Sequence, residues 1–75
     1  MNELLEILNE LKPGVDWENE EDLVKRGVLT SMEIVRLVVE INDNFDVELT
    51  PIDVIPENFY SVKTIYELIK RLEEE

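Results

Sequence analysis

The chain contains neither cysteine nor histidine. Without cysteine it can form no disulfide framework and no thiolate metal site, which are the devices that stabilise many domains of this size. The absence of both residues also removes the commonest general base and the best thiol nucleophile, so we do not expect an enzyme. A length of 75 residues is enough for one domain, and we predict a single domain over residues 1–75.

Basic residues are scarce as well. The chain has 7 Lys and Arg against 19 Asp and Glu, which gives a formal net charge of −12. Binding to nucleic acid depends on Lys and Arg side chains that neutralise phosphates, so nucleic acid is not an expected ligand. A basic protein surface is the complementary partner, and long-range attraction would speed the encounter.

The sequence also lacks a long apolar run. Its first residues, Met1-Asn2-Glu3-Leu4-Leu5, contain no basic segment and no small-residue cleavage site. No apolar run is long enough to span a bilayer, so we expect a cytoplasmic protein without a membrane span. Hydrophobic residues nevertheless make up 44% of the chain, which favours a folded core over disorder.

Apolar residues recur at helical spacing in three segments. The first covers residues 2–12 and ends at Pro13-Gly14. The second should begin at Thr30 or Ser31, because Thr30 and Glu33 have the spacing of a capping box, and should end near residue 45 or 46. The third runs from an N-cap at Ser61 to the end of the chain. The predicted buried stripes are Leu4, Leu5, Leu8 and Leu11, with Ile7 beside them; Val35, Val38, Ile41 and Phe45, flanked by Ile34 and Leu37; and Val62, Ile65, Ile69 and Leu72, with Tyr66 and Leu68 adjacent.

The connections between these segments carry their own signals. Residues 13–30 form a long polar loop, which we expect Trp17 to anchor. Apolar residues spaced along the same loop should hold it to the core, namely Leu23, Val24, Val28 and Leu29. Thr50-Pro51 and Ile55-Pro56 limit the next stretch to turns or one brief helix over residues 56–60. The predicted fold class is therefore all-α, a small bundle of three main helices plus one short helix.

The segment Gly27-Val28-Leu29-Thr30-Ser31-Met32 precedes the second apolar helix. It resembles the modification-site region of acyl and peptidyl carrier proteins, whose pattern is Gly-x-x-Asp-Ser-Leu followed by an acidic helix. Phe45-Asp46-Val47-Glu48-Leu49 matches the end of that helix in the family. Pro56-Glu57-Asn58-Phe59-Tyr60-Ser61-Val62 is similar to the motif before the last helix of many carriers. The matched pieces extend in order from residue 23 to 72, and the resemblance implies an acyl-carrier-like bundle.

The resemblance also implies a function. In that family a phosphopantetheinyl transferase uses coenzyme A and Mg²⁺ to modify the serine, and the thiol of the added arm holds an acyl or aminoacyl group as a thioester. Ser31 is the matching position, where 4′-phosphopantetheine would be attached. At a helix N-terminus the free N–H groups and the helix dipole favour an anion such as this phosphodiester. The family usually has Asp directly before the serine, where this chain has Thr30.

Partners follow from the same resemblance. Besides the transferase, it implies an acyl- or aminoacyl-loading enzyme and a downstream synthase or transferase with basic docking surfaces, in fatty-acid, polyketide or nonribosomal-peptide biosynthesis. The chain looks more similar to stand-alone aminoacyl, D-alanyl or pathway-specific acyl carriers than to a housekeeping fatty-acid carrier, and we expect a monomer. The candidate partner-binding residues are the semi-exposed Met32 and Val39, the acidic Glu33, Glu40 and Asp43, and Arg36, whose place is often acidic in fatty-acid carriers.

Other interpretations of these residues stay open. Ser31 could be no more than a helix cap, since serine is a preferred capping residue. The chain could be a non-catalytic acidic interaction module with a carrier-like fold but no prosthetic arm. A mimic of nucleic acid would need a patterned array of carboxylates, which we do not find. Finally, Asn42, Asn44, Asp46 and Asp53 approach the spacing of a calcium loop but lack its Gly and its bidentate Glu, so we predict no metal site.

Overall fold

In a computed structural model that describes residues 2–74, the chain forms three helices: α1 (Asn2–Leu11), α2 (Ser31–Phe45) and α3 (Val62–Glu74). Helix α1 packs against both α2 and α3. Over residues 2–74 the structure has no strand, only an isolated antiparallel bridge between Glu21 and Ser61. The prediction of a small all-helical bundle is therefore confirmed, and the predicted bounds of the three main helices are correct to within one or two residues.

One core joins the helices and the long loop. The buried hydrophobic residues are Leu4, Ile7, Leu8, Trp17, Leu23, Leu29, Leu37, Ile41, Leu49, Phe59, Val62, Ile65, Leu68 and Ile69. Both α1 and α3 present the predicted faces, although Leu5 and Leu11 of α1 and Leu72 of α3 are only partly buried. Among residues 2–74 no helix is both long and apolar enough to cross a membrane.

Helix α2 is rotated relative to its predicted orientation. Val35 was expected to lie in the buried stripe, but its side chain is 65% exposed, whereas Leu37, expected to flank that stripe, is fully buried. The buried face centres on Leu37 and Ile41, with Ile34, Val38 and Phe45 partly buried around it. The prediction was wrong because α2 is apolar around most of its circumference, so spacing alone does not decide which face packs on α1.

The short helix predicted at residues 56–60 is not confirmed, because the structure has turns there, which is the alternative that the two prolines also allowed. The amide of Asn58 donates to the carbonyl of Ile55 at 3.0 Å, and that of Phe59 donates to Pro56 at 3.2 Å. The chain then straightens, since the Tyr60 carbonyl accepts from the Leu23 amide at 3.1 Å. The Tyr60 carbonyl thus bonds to the long loop instead of accepting from an amide in a following helical turn.

The long loop lies against the core as expected. Leu23 and Leu29 are buried, Val24 and Val28 are partly buried, and Trp17 is 3% exposed. Ser61, directly before α3, forms a reciprocal pair of bonds with the first turn of that helix: the Ser61 amide donates to Thr64 Oγ1 at 3.0 Å, and the Thr64 amide donates to Ser61 Oγ at 3.3 Å. The long loop is joined to the segment before α3 by the bond between Leu23 and Tyr60 and by the bridge between Glu21 and Ser61.

Candidate functional site at the start of α2

The long loop makes a tight turn at Gly27 shortly before α2 begins. Gly27 has a φ of 75°, a left-handed conformation that a residue without Cβ adopts at little cost. Two residues later Leu29 is buried, and its amide donates to the Leu23 carbonyl at 3.0 Å. Leu29 therefore fixes the point at which the chain leaves the core, and Thr30 and Ser31 follow on the surface.

Thr30 is the N-cap of α2, as predicted. Its backbone is extended, with φ −85° and ψ 168°, and the capping box is complete. The Glu33 amide donates to Thr30 Oγ1 at 3.4 Å, and the Thr30 amide donates to Glu33 Oε1 at 2.9 Å. Two of the N–H groups that a helix leaves unpaired at its start are satisfied in this way, without any contribution from Ser31.

Ser31 is the first residue of α2, and its side chain is exposed. Within residues 2–74 its hydroxyl has no hydrogen-bond partner, and the amides of Ser31 and Met32 do not enter the capping box. Unpaired N–H groups at a helix start favour an anionic group. The local structure thus combines a free hydroxyl with a place where a phosphodiester would be stabilised.

Lys12 connects the end of α1 to this region. Its Nζ donates to the Val28 carbonyl at 2.8 Å and lies 3.7 Å from Glu33 Oε1. The pKa of Glu33 is lowered from its ordinary value of 4.5, chiefly because the carboxylate accepts a hydrogen bond from the Thr30 amide; the Thr30 hydroxyl and the charge of Lys12 act in the same direction, against partial burial. Glu33 is therefore ionised at neutral pH and is engaged in local bonds.

The outer face of α2 carries an exposed apolar stripe. Met32 is 83%, Val35 65% and Val39 56% exposed, and their spacing places them on one side of the helix. Met32 and Val39 were candidate partner-binding residues, whereas Val35 was assigned to the core. The signal that could have identified Val35 is its position between Met32 and Val39, once Leu37 is taken as the centre of the buried face.

The charged candidates occupy different environments. Arg36 and Asp43 are exposed on α2. Glu40 is half-buried and, together with Arg36 and Glu10, lines a small cleft between α1 and α2. Glu33 stands apart from these residues because the capping box and Lys12 already hold its carboxylate. Arg36 and Asp43 are thus the charged candidates that are most available to a partner.

The residues that approach a calcium-loop spacing serve the backbone instead. Asn42 Oδ1 accepts from the Leu49 amide at 2.9 Å, and Asn44 Nδ2 donates to the Glu40 carbonyl at 2.8 Å. Asp46 ends α2 in a left-handed conformation with φ 53°. Asp53 Oδ2 accepts from the amide of Thr50 at 3.1 Å. Across residues 2–74, no group of three or more acidic side chains is arranged to hold a metal ion.

Two surface clefts lie along α3, where Tyr66 and Lys70 line both, and neither includes Ser31. No protein-family model matches the chain, and no curated protein matches it in sequence.

Proposed function

We propose that this chain is a carrier protein whose Ser31 bears a 4′-phosphopantetheine arm and presents an acyl or aminoacyl thioester to partner enzymes. One observation carries the proposal: the Ser31 hydroxyl is exposed and unbonded at the first turn of α2, because the adjacent Thr30 supplies the cap. A serine needed only for capping would stand at the N-cap position and accept a bond from the helix. The resemblance in the order and spacing of the surrounding motifs supports the same conclusion.

The chemistry asks little of this chain. Ser31 Oγ would form a bond to the phosphorus of coenzyme A that carries the pantetheine, while the pyrophosphate P–O bond breaks and adenosine 3′,5′-bisphosphate leaves with the electron pair. The serine proton would pass to a base on the transferase, so a chain without histidine or cysteine can take part. What the carrier must supply is an accessible nucleophile and a stable place for the resulting anion, and the start of α2 offers both.

The remaining features fit a protein that is handled by several enzymes. The bundle has three helices, the number of main helices expected of a carrier, and it has turns where the short fourth helix was expected. The net charge of −12 favours basic partners, and the exposed stripe of Met32, Val35 and Val39 beside Ser31 offers apolar contact area. A flexible thioether such as that of Met32 adapts to different partner surfaces.

The test is a modification assay on the intact protein. Purified chain is incubated with coenzyme A, Mg²⁺ and a transferase of broad specificity, and its mass is then measured. We expect a gain of one phosphopantetheinyl group, lost in Ser31→Ala and retained in Ser61→Ala, which alters the only other serine in the chain. Ser61→Ala is a suitable control because it also removes a serine hydroxyl at the start of a helix but lies outside the proposed site.

A second function would replace the first if modification fails. The exposed apolar stripe on α2 would also suit a non-catalytic interaction module that works without an arm. The net charge of −12 would favour basic partners for such a module. No mass gain with several transferases, on a chain shown to be folded, would overturn the carrier proposal and favour this module.

A further inference from the structure

We infer that Lys12 is a positioning residue for the modification of Ser31, an inference that rests on the proposed function. Lys12 follows directly after α1, and its amide donates to the Leu8 carbonyl at 2.9 Å, so its backbone continues the last turn of that helix. Its side chain reaches both the end of the long loop and the start of α2. Nζ is 2.8 Å from the Val28 carbonyl in the loop and 3.7 Å from Glu33 Oε1 in α2.

These two contacts lie on either side of the serine. Val28 precedes Ser31 by three residues in the loop, and Glu33 follows it by two residues in α2. Glu33 in turn holds the Thr30 amide. One ammonium group therefore restrains the approach of the loop and the first turn of the helix together, and Ser31 is presented between them.

The restraint is anchored in a rigid element. Leu8, whose carbonyl accepts from the Lys12 amide, is fully buried, and α1 packs against both other helices. The loop before Ser31, by contrast, consists of turns and not of a helix, and surface loops open more easily than core helices. Lys12 therefore ties residues 28–33, the segment that a transferase must recognise, to the end of α1.

The expected consequence is on binding more than on the chemical step. A transferase that docks on residues 28–33 would find them restrained by Lys12 in the wild type, whereas without Lys12 more of their ordering would take place when the transferase binds. The hydroxyl itself is not bonded to Lys12, so its reactivity in the bound complex should not change. Because the ion pair is at the surface, its removal should have only a small effect on global stability.

The experiment compares Lys12→Met with Lys25→Met. Lys25 is an exposed lysine of the long loop, and the structure shows for it no hydrogen bond or ion pair among residues 2–74. Each variant removes one positive charge, but only Lys12→Met also removes the contacts with Val28 and Glu33. We expect Lys12→Met to raise the transferase KM by roughly two- to tenfold, the equivalent of one ordinary hydrogen bond, with kcat nearly unchanged. Lys25→Met should leave KM unchanged, and Lys12→Arg should restore most of the wild-type value.

Amide hydrogen exchange, followed by NMR at a temperature where both variants are folded, tests the restraint without any transferase. Exchange at Leu29, whose amide donates to Leu23, should quicken in Lys12→Met and not in Lys25→Met. If KM and exchange change equally in the two lysine variants, the role of Lys12 is overturned. A wild-type chain that is never modified would instead defeat the proposed function, while the exchange result would still decide whether Lys12 restrains the loop.

Glu33→Gln provides a variant that does not alter Lys12. Glutamine can keep the capping bond to the Thr30 amide but loses the charge that Lys12 faces. If the restraint works as inferred, this variant should keep the helix start and show an intermediate rise in KM, because the bond from Lys12 to the Val28 carbonyl is retained. A KM identical to that of wild type would show that the Lys12–Glu33 contact has no part in presenting Ser31.

Discussion

Replacing Leu37 with alanine should destabilise the fold far more than replacing Val35 with alanine, although the two residues are neighbours on α2 and both are aliphatic. Leu37 is fully buried, whereas Val35 is 65% exposed. A buried Leu→Ala change loses the transfer free energy of the side chain and leaves a cavity, at a cost of about 2–5 kcal/mol. At an exposed helical position alanine has the higher helix propensity, so Val35→Ala should be neutral or slightly stabilising.

These magnitudes are large relative to the total. A chain of 75 residues is expected to have a free energy of unfolding of roughly 4–11 kcal/mol, so Leu37→Ala could remove half of it. Urea unfolding followed by the fluorescence of Trp17, the only tryptophan, which is 3% exposed, would measure both variants. Ile41→Val, at about 0.5–1.5 kcal/mol, is the milder variant if Leu37→Ala is too unstable to study. Equal losses for Leu37→Ala and Val35→Ala would refute the orientation of α2.

Three further predictions concern the start of α2. Thr30→Ala should lower the free energy of unfolding by about 1 kcal/mol, whereas Thr30→Ser should leave it nearly unchanged, because serine retains the capping oxygen; thermal or urea unfolding would show the difference. Because the pKa of Glu33 is lowered, its ionised form stabilises the fold at pH values above 4.5, its ordinary pKa. This contribution is lost as the pH falls through the lowered pKa. Urea unfolding at a series of acidic pH values should show this loss in the wild type and not in Glu33→Gln. Thr30→Asp should keep the cap and raise the initial rate of modification by a transferase that recognises the family's usual acidic residue, and an unchanged rate would argue against that recognition.

The helix starts could be predicted from sequence because their signals are local. The spacing of Thr30 and Glu33 is enough to define a capping box, and Ser61 precedes the apolar stripe of α3 as a cap should. A cap depends on residues within one helical turn, so tertiary packing has little opportunity to override it. The same holds for the end of α1, where Pro13 and Gly14, which follow the last turn directly, give a local stop signal.

The facing of α2 and the fate of residues 56–60 could not be predicted in the same way, because both depend on distant partners. Whether Val35 or Leu37 is buried is decided by how α2 meets α1. The turns after Pro56 end at Tyr60, whose carbonyl accepts from the amide of Leu23, a residue far away in sequence. The contact of Lys12 with Val28, 16 residues away, gives no sequence signal, since a lysine at the end of a helix is usually only a solvated charge that complements the dipole.

The adjacent hydroxyls of Thr30 and Ser31 have different surroundings, and the difference bears directly on how a carrier could work. Thr30 Oγ1 takes part in the bonds that start α2, so any group attached to it would remove a cap. Ser31 takes part in none of those bonds, and an anion attached there would lie where the helix dipole stabilises it. A carrier must be loaded and unloaded while its partners continue to recognise the same surface, which requires that the arm can be added without rebuilding the helix. In the proposed carrier, a cap on Thr30 and an attachment on Ser31 would meet that requirement with two neighbouring residues.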